Sequence, residues 1–159
     1  MTETKYFIEE AEVDKINLIT WNQEIEQERK SAVFDLLNNG KFKLYNKNET
    51  GPYKVNIKLL EWKLILSVFD IFDDTVTDIK VTISSVRRII RDYQIVCDNY
   101  VEAIKTAPLK KIEAIDIGRR TIHDEGAEII LEAFRGKVEI DMDTARRLFT
   151  LVSIISIKI

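Results

Sequence analysis

The hydrophobic period of this chain changes at Ser84, and that change restricts the folds open to it. Before it, Tyr53, Val55, Ile57 and Leu59 alternate with Lys54, Asn56 and Lys58, a period of two that gives a strand one apolar face. Trp62 to Phe69 is apolar on both faces, as in a central strand, and Ile79, Val81 and Ile83 alternate again after the Asp73-Asp74 turn. Such a succession predicts an antiparallel meander. After Ser84, the residues Val86, Ile89, Ile90, Tyr93, Cys97, Tyr100, Val101 and Ile104 recur at the spacing of an amphipathic helix, with Ser84 or Ser85 as its cap. Pro108 opens a further helix through Ile112, Ile115, Ile122, Ile129, Ile130 and Ala133 to a stop near Gly136. Gly118 and Gly126 interrupt it. A glycine inside a helix costs about 1 kcal/mol relative to alanine, so both are expected where another element packs closely.

Towards the N-terminus, a strand around Ile16 to Thr20 and a helix capped by Asn22 and ended by Gly40 are expected, with Ile25, Ala32, Val33, Leu36 and Leu37 as the helix's apolar stripe. Towards the C-terminus, Val138 to Ile140 reads as a short strand. Asp141 or Asp143 then caps a last helix carrying Ala145, Leu148, Phe149 and Val152. The β-branched stretch 152–159 fits three situations: a helix buried on all sides, a paired strand, or a homo-oligomer interface. The whole reads as an α+β fold, an antiparallel sheet of about three to five strands packed against an N-terminal helix and a three-helical C-terminal half.

A chain of 159 residues with 45% apolar and 32% charged residues can bury a core without disulfides or metal, and it is read as one domain, 1–159, with a sheet half over 15–83 and a helical half over 84–159. A net charge of −3 argues against nucleic acid and anionic lipid as partners. The lone Cys97 sits at an apolar helical position and reads as packing. The acidic start, Met1 to Lys15, has no secretory pattern, and the apolar run Leu148 to Ile157 is too short to span a bilayer, so a cytoplasmic location without membrane contact is expected.

On a helical wheel Arg119 falls inside the stripe of Ile112, Ile115, Ile122 and Gly126, and His123 lies one turn further along the same edge. A guanidinium keeps its proton, so an inward Arg119 needs a carboxylate, carbonyls or a bound anion. Arg29 lies likewise between Ile25, Ala32 and Leu36. One resolution is structural, with Asp92, Asp35 or Glu28 as internal partners. The other is a ligand site, in which arginine forks and a titratable His123 hold a phosphate or carboxylate. Arginines pair at Arg87-Arg88, Arg119-Arg120 and Arg146-Arg147, and eight of the nine lie beyond residue 84, so the helical half is where planar, bidentate recognition belongs. Solvated i,i+4 pairs such as Asp116 with Arg120 account for the same pattern.

The series Val86-Arg87-Arg88-Ile89-Ile90-Arg91-Asp92-Tyr93, Ile112-Glu113-Ala114-Ile115-Asp116-Ile117-Gly118-Arg119-Arg120, His123-Asp124-Glu125-Gly126 and Asp143-Thr144-Ala145-Arg146-Arg147-Leu148-Phe149-Thr150 resembles a family of small uncharacterised alphaproteobacterial proteins. Glu28-Arg29, Phe34-Asp35-Leu36 and Gly51-Pro52-Tyr53 extend the likeness, which runs from about Glu28 to Leu151 and departs at the Ile-rich tail. The resemblance implies a bacterial intracellular protein. It brings no activity, substrate or cofactor with it.

No nucleophile elbow, phosphate loop or dinucleotide fingerprint occurs, and one histidine without a cysteine set makes no metal site, so no cofactor is called for. The expected function is non-enzymatic binding or regulation, with the Arg/His patch engaging an acidic protein surface or a small anion. The alternative is a small hydrolase or transferase acting on a phosphorylated or carboxylated metabolite, with Arg119 and Arg120 as clamp and His123, beside Asp116, as acid or base.

Overall fold

The computed structural model describes residues 6–13, 23–45 and 51–156. In chain order the elements are β1 (Ile8–Val13), α1 (Gln23–Asn39), β2 (Lys43–Leu44), β3 (Tyr53–Leu60), β4 (Lys63–Phe69), β5 (Thr75–Thr82), α2 (Arg87–Thr106), α3 (Leu109–Ala133), β6 (Val138–Glu139) and α4 (Met142–Ile155). The α+β architecture expected from the sequence is the one observed. Strands β3, β4 and β5 form the antiparallel meander, in register Ile57 opposite Leu66 and Leu66 opposite Ile79. Strand β4 is buried on both faces at Leu64, Ile65 and Leu66, as its unbroken apolar run requires.

The N-terminal strand departs from expectation. It lies at Ile8–Val13 and joins β3 in parallel, Ala11 opposite Val55 and Val13 opposite Ile57, giving the order β1-β3-β4-β5. Only its ends, Ile8 and Val13, are buried, while Glu9, Glu10 and Glu12 face outward. An edge strand of this kind reads as a charged tail, because its apolar signal is confined to two residues. The strand expected at Ile16 to Thr20 and the cap at Asn22 lie outside the described residues.

Trp62 also leaves the strand assigned to it. Glu61 and Trp62 both have left-handed backbones, φ 51° and 61°, the geometry of a tight two-residue hairpin turn between β3 and β4. The Trp62 carbonyl accepts from the Ile83 N–H at 2.8 Å, and the Arg87 guanidinium lies 5.8 Å from the indole ring centre. Neither Ser84 nor Ser85 caps α2 through its side chain: they form a short 3-10 turn, Ser84–Val86, that leads into the helix. Pro108 does open α3, and Asp141 caps α4, its carboxylate accepting from the Thr144 N–H at 2.9 Å. The Thr144 hydroxyl oxygen accepts in turn from the Lys41 N–H at 2.8 Å, fastening the start of α4 to the chain that leaves α1.

Helix α4 lies against α1, α3 and β3. Leu148, Phe149, Leu151, Val152 and Ile154 are all buried, on every side of the helix, which answers the question posed by the β-branched tail as far as Ile155. Residues 157–159 lie outside the described part. No described helix is long and apolar enough to cross a membrane.

The glycines of α3 differ. A Cβ on Gly126 would stand 2.0 Å from Cε1 of Phe149, whose ring is fully buried, so α3 and α4 meet there at a distance only glycine permits. A Cβ on Gly118 would meet nothing within 4 Å, so the close packing expected there is absent. Gly126→Ala is therefore expected to destabilise the fold by roughly 3 kcal/mol, the upper range for overpacking a core. Gly118→Ala should stabilise it by about 1 kcal/mol. Urea unfolding of the two variants beside the parent checks both signs.

Candidate functional site

Polar residues recur at helical spacing beside the apolar stripes of three helices. On α1 they are Glu28, Ser31 and Asp35, on α3 Asp116, Arg119, Arg120 and His123, and on α4 Asp143, Arg146, Arg147 and Thr150. Packing turns most of these rows towards one another, and α2 adds Tyr93. They enclose an open cleft of about 450 Å³, into which Arg119, Arg120, Arg146, Arg147, His123 and Thr150 project with Glu28, Ser31, Asp35 and Asp124.

Each arginine is held by a carboxylate. Asp116, outside the cleft lining, binds Arg119 through Nε at 3.1 Å and Arg120 at 3.2 Å, so a single acid braces both forks from behind. The hydrogen bond from Arg119 holds the Asp116 carboxyl below its ordinary range. Arg119 is only partly exposed, and its guanidinium lies 5.1 Å from the ring centre of Tyr100. Arg146 reaches Asp124 at 2.9 Å and Asp143 at 2.6 Å, whereas Arg147 stands 3.7 Å from Asp35, a looser pair.

His123 is seated edge-on between aromatic rings, with centroids 5.3 Å from Tyr93 and 4.9 Å from Phe149. Its Nε2 lies 2.8 Å from Thr150 Oγ1. The same Thr150 hydroxyl lies 3.2 Å from the Arg146 carbonyl, so it bridges the imidazole to the backbone of α4. Burial lowers the imidazole to about 4; Asp124 opposes that shift, while Arg147, Arg119 and Arg146 reinforce it. His123 is neutral at pH 7. Burial also raises the Glu28 carboxyl above its ordinary range, and Tyr93, itself buried, has its phenol pushed well up.

Other candidates fall elsewhere. Arg87 covers Trp62, and Arg88, an exposed residue, does not line the cleft. Arg29 bonds Glu26 on its own helix, with Nε to Oε1 at 3.1 Å, and not Asp92, Asp35 or Glu28, because a carboxylate three residues back reaches it first. Asp92 is exposed on α2 and forms no ion pair among the described residues, while Asp35 faces Arg147 instead. Tyr93, Ser31 and Thr150 were missed as cleft residues. The i,i+4 step from Arg146 to Thr150 and the spacing of Glu28, Ser31 and Asp35 were the available signals. Among the described residues no group of three or more His, Cys, Asp or Glu is placed to hold a metal ion.

The uncharacterised protein family UPF0262 matches residues 6–158, and the chain belongs to that family. A UPF0262 protein of Ruegeria sp. (strain TM1040) is 40% identical over 152 residues, covering 93% of this chain and 96% of the relative. One from Brucella canis is 41% identical over 132 residues, covering 83% and 82%, and one from Cereibacter sphaeroides is 38% identical over 148 residues, covering 91% and 94%. The relatives are alphaproteobacterial, as the sequence resemblance implied. No solved structure matches the chain.

The depressed histidine has a measurable sign. Between about pH 6.5 and 4 the unfolded chain takes up a proton at His123 that the folded chain refuses, so stability falls with pH across that window, by at most about 3 kcal/mol. In His123→Phe this component is absent. Urea unfolding at pH 7 and pH 4.5 is expected to give a smaller loss for the variant than for the parent.

Proposed function

We propose that the cleft between α1, α3 and α4 binds a small anion, a phosphate or carboxylate, and holds it without converting it. The observation that supports this most is the convergence of Arg119, Arg120, Arg146 and Arg147 on one cleft in a chain of net charge −3. Their ion pairs leave donors to spare. A guanidinium carries five N–H groups, and the recorded pairs engage only some of them. Of the carboxylates involved, Asp116 and Asp143 stand outside the lining, so they orient the forks without occupying the cleft. A fork held in place loses less freedom on meeting an anion than a mobile one.

The state of His123 favours binding over catalysis. A general acid or base works best with a pKa near the operating pH, and an imidazole at about 4 is neither charged enough to donate nor basic enough to accept efficiently at pH 7. It serves instead as a fixed neutral partner on the cleft wall. The concave shape suits a small molecule better than a flat acidic protein surface. Because Leu151, Val152 and Ile154 are buried within the subunit, this reading calls on no second copy. A cytoplasmic location belongs to the same proposal, with a metabolite anion as the ligand class.

Thermal unfolding in inorganic phosphate, pyrophosphate or citrate, against chloride at equal ionic strength, tests the reading. At a hundredfold excess over Kd a ligand adds about 2.7 kcal/mol. In a domain of this size that corresponds to a rise in Tm of about 5 to 10 °C. Arg147→Ala and Arg120→Ala are expected to lose most of the rise. A flat response to all these anions, or an unchanged rise in both variants, would overturn it.

A further inference from the structure

The arginine cleft does not end at Arg119. A second cavity of about 680 Å³ opens on the other side of it, between α1, α2 and the end of α4, and the two share Glu28, Ser31, Tyr93 and Arg119 as common walls. The character of the lining changes across that waist. The first lobe is dominated by forks and carboxylates. The second has flat or aliphatic walls from Tyr100, Val101 and Ile25, interrupted by the amide and carboxylate tips of Gln27, Gln94 and Asp98.

That mixture discriminates between ligand bodies. An alkyl chain has no use for amide and carboxylate tips, and leaving them unpaired beneath it would cost affinity. A sugar can lay a C–H face on Tyr100, but its hydroxyls outnumber the few polar tips and would lie unpaired against Val101 and Ile25. A heteroaromatic ring has both an apolar face and a hydrogen-bonding edge, and it meets both kinds of lining. Arg119 suits the junction: its guanidinium lies 5.1 Å from the ring centre of Tyr100, is braced by Asp116, and lines both lobes. Gln94 is fixed at the far wall, its amide N–H donating to the Ser153 carbonyl at 3.2 Å, which leaves its carbonyl oxygen for a ring edge.

We infer that the two lobes form one bipartite site for a phosphate ester with a heteroaromatic body, the nucleoside monophosphate being the type, its phosphate among Arg119, Arg120, Arg146 and Arg147 and its ring against Tyr100 and Val101. This rests on the anion reading above and adds the identity of the body. The site is assembled from the sides of helices without a glycine-rich loop, which is why no nucleotide motif marks the sequence.

Titration calorimetry at fixed ionic strength compares inorganic phosphate, adenosine, uridine, their 5′-monophosphates and octyl phosphate. At least one monophosphate is expected to bind tenfold or more tightly than inorganic phosphate and than its own nucleoside, with octyl phosphate weaker than that monophosphate. Val101→Asp, at a half-exposed position, is expected to bring the monophosphate down to the affinity of phosphate, and Arg147→Ala to weaken both; Asp98→Ala, an exposed site, gives a second reading of the ring lobe should Val101→Asp not fold. Monophosphates no tighter than phosphate would sink the bipartite site and leave the anion cleft standing. Octyl phosphate binding most tightly would replace the ring with a chain, overturning the inference. If neither phosphate nor any ester binds, the anion reading itself fails.

Discussion

The contact between Gly126 and Phe149 is the constraint on which the helical half depends. A missing side chain on α3 lets the Phe149 ring of α4 sit against the helix, and that ring then packs in T-shaped contact with His123 and with Tyr93, 5.4 Å away. Everything polar in the cleft is placed from there. The separation of α3 and α4 fixes how far Arg119 and Arg120 stand from Arg146 and Arg147, and the aromatic seat keeps His123 dry enough to stay uncharged among four cations. Were it protonated, it would join them in repelling one another.

The ion pairs around the cleft contribute little to holding the fold together. Partly exposed pairs of this kind are worth roughly 0.2 to 1 kcal/mol each, less than one well-packed apolar side chain. Their geometry nonetheless has a consequence for orientation. Asp116 links Arg119 and Arg120 on one helix, Asp124 links Arg146 across to α3, and Asp35 stands loosely opposite Arg147 from α1. The loosest of these pairs leaves Arg147 the most adjustable fork of the cleft.

Most of the architecture was legible in the sequence because its two periods are clean: alternation at Tyr53 to Leu59, and the three-to-four step from Val86 to Ile104. What escaped were elements whose signal is cancelled locally. Strand β1 hides behind Glu9, Glu10 and Glu12, β2 is two residues long, and Trp62 belongs to a turn that an apolar count cannot tell from a strand. At the cleft, the wheel brought Arg119 and His123 together because helical geometry is local. It placed Arg29 in an ion pair but with the wrong partners, since a carboxylate three residues away on the same helix competes with any across the core. The contributions of Tyr93 and Thr150 arise only when α2 and α4 are docked on α3, and no single-helix pattern contains that information.

Helix α4 follows every other described element in the chain, and eight of its fourteen residues are buried. During synthesis the meander and the α2–α3 hairpin, whose partners are near neighbours in sequence, can assemble as they emerge, yet the surfaces that will receive α4 stay bare until α4 itself has been made. The nascent chain must therefore carry an uncovered apolar seat on β3, α1 and α3 until then, and a ribosome stalled before residue 142 would leave behind a product whose sheet and helical hairpin lack the helix that packs on both.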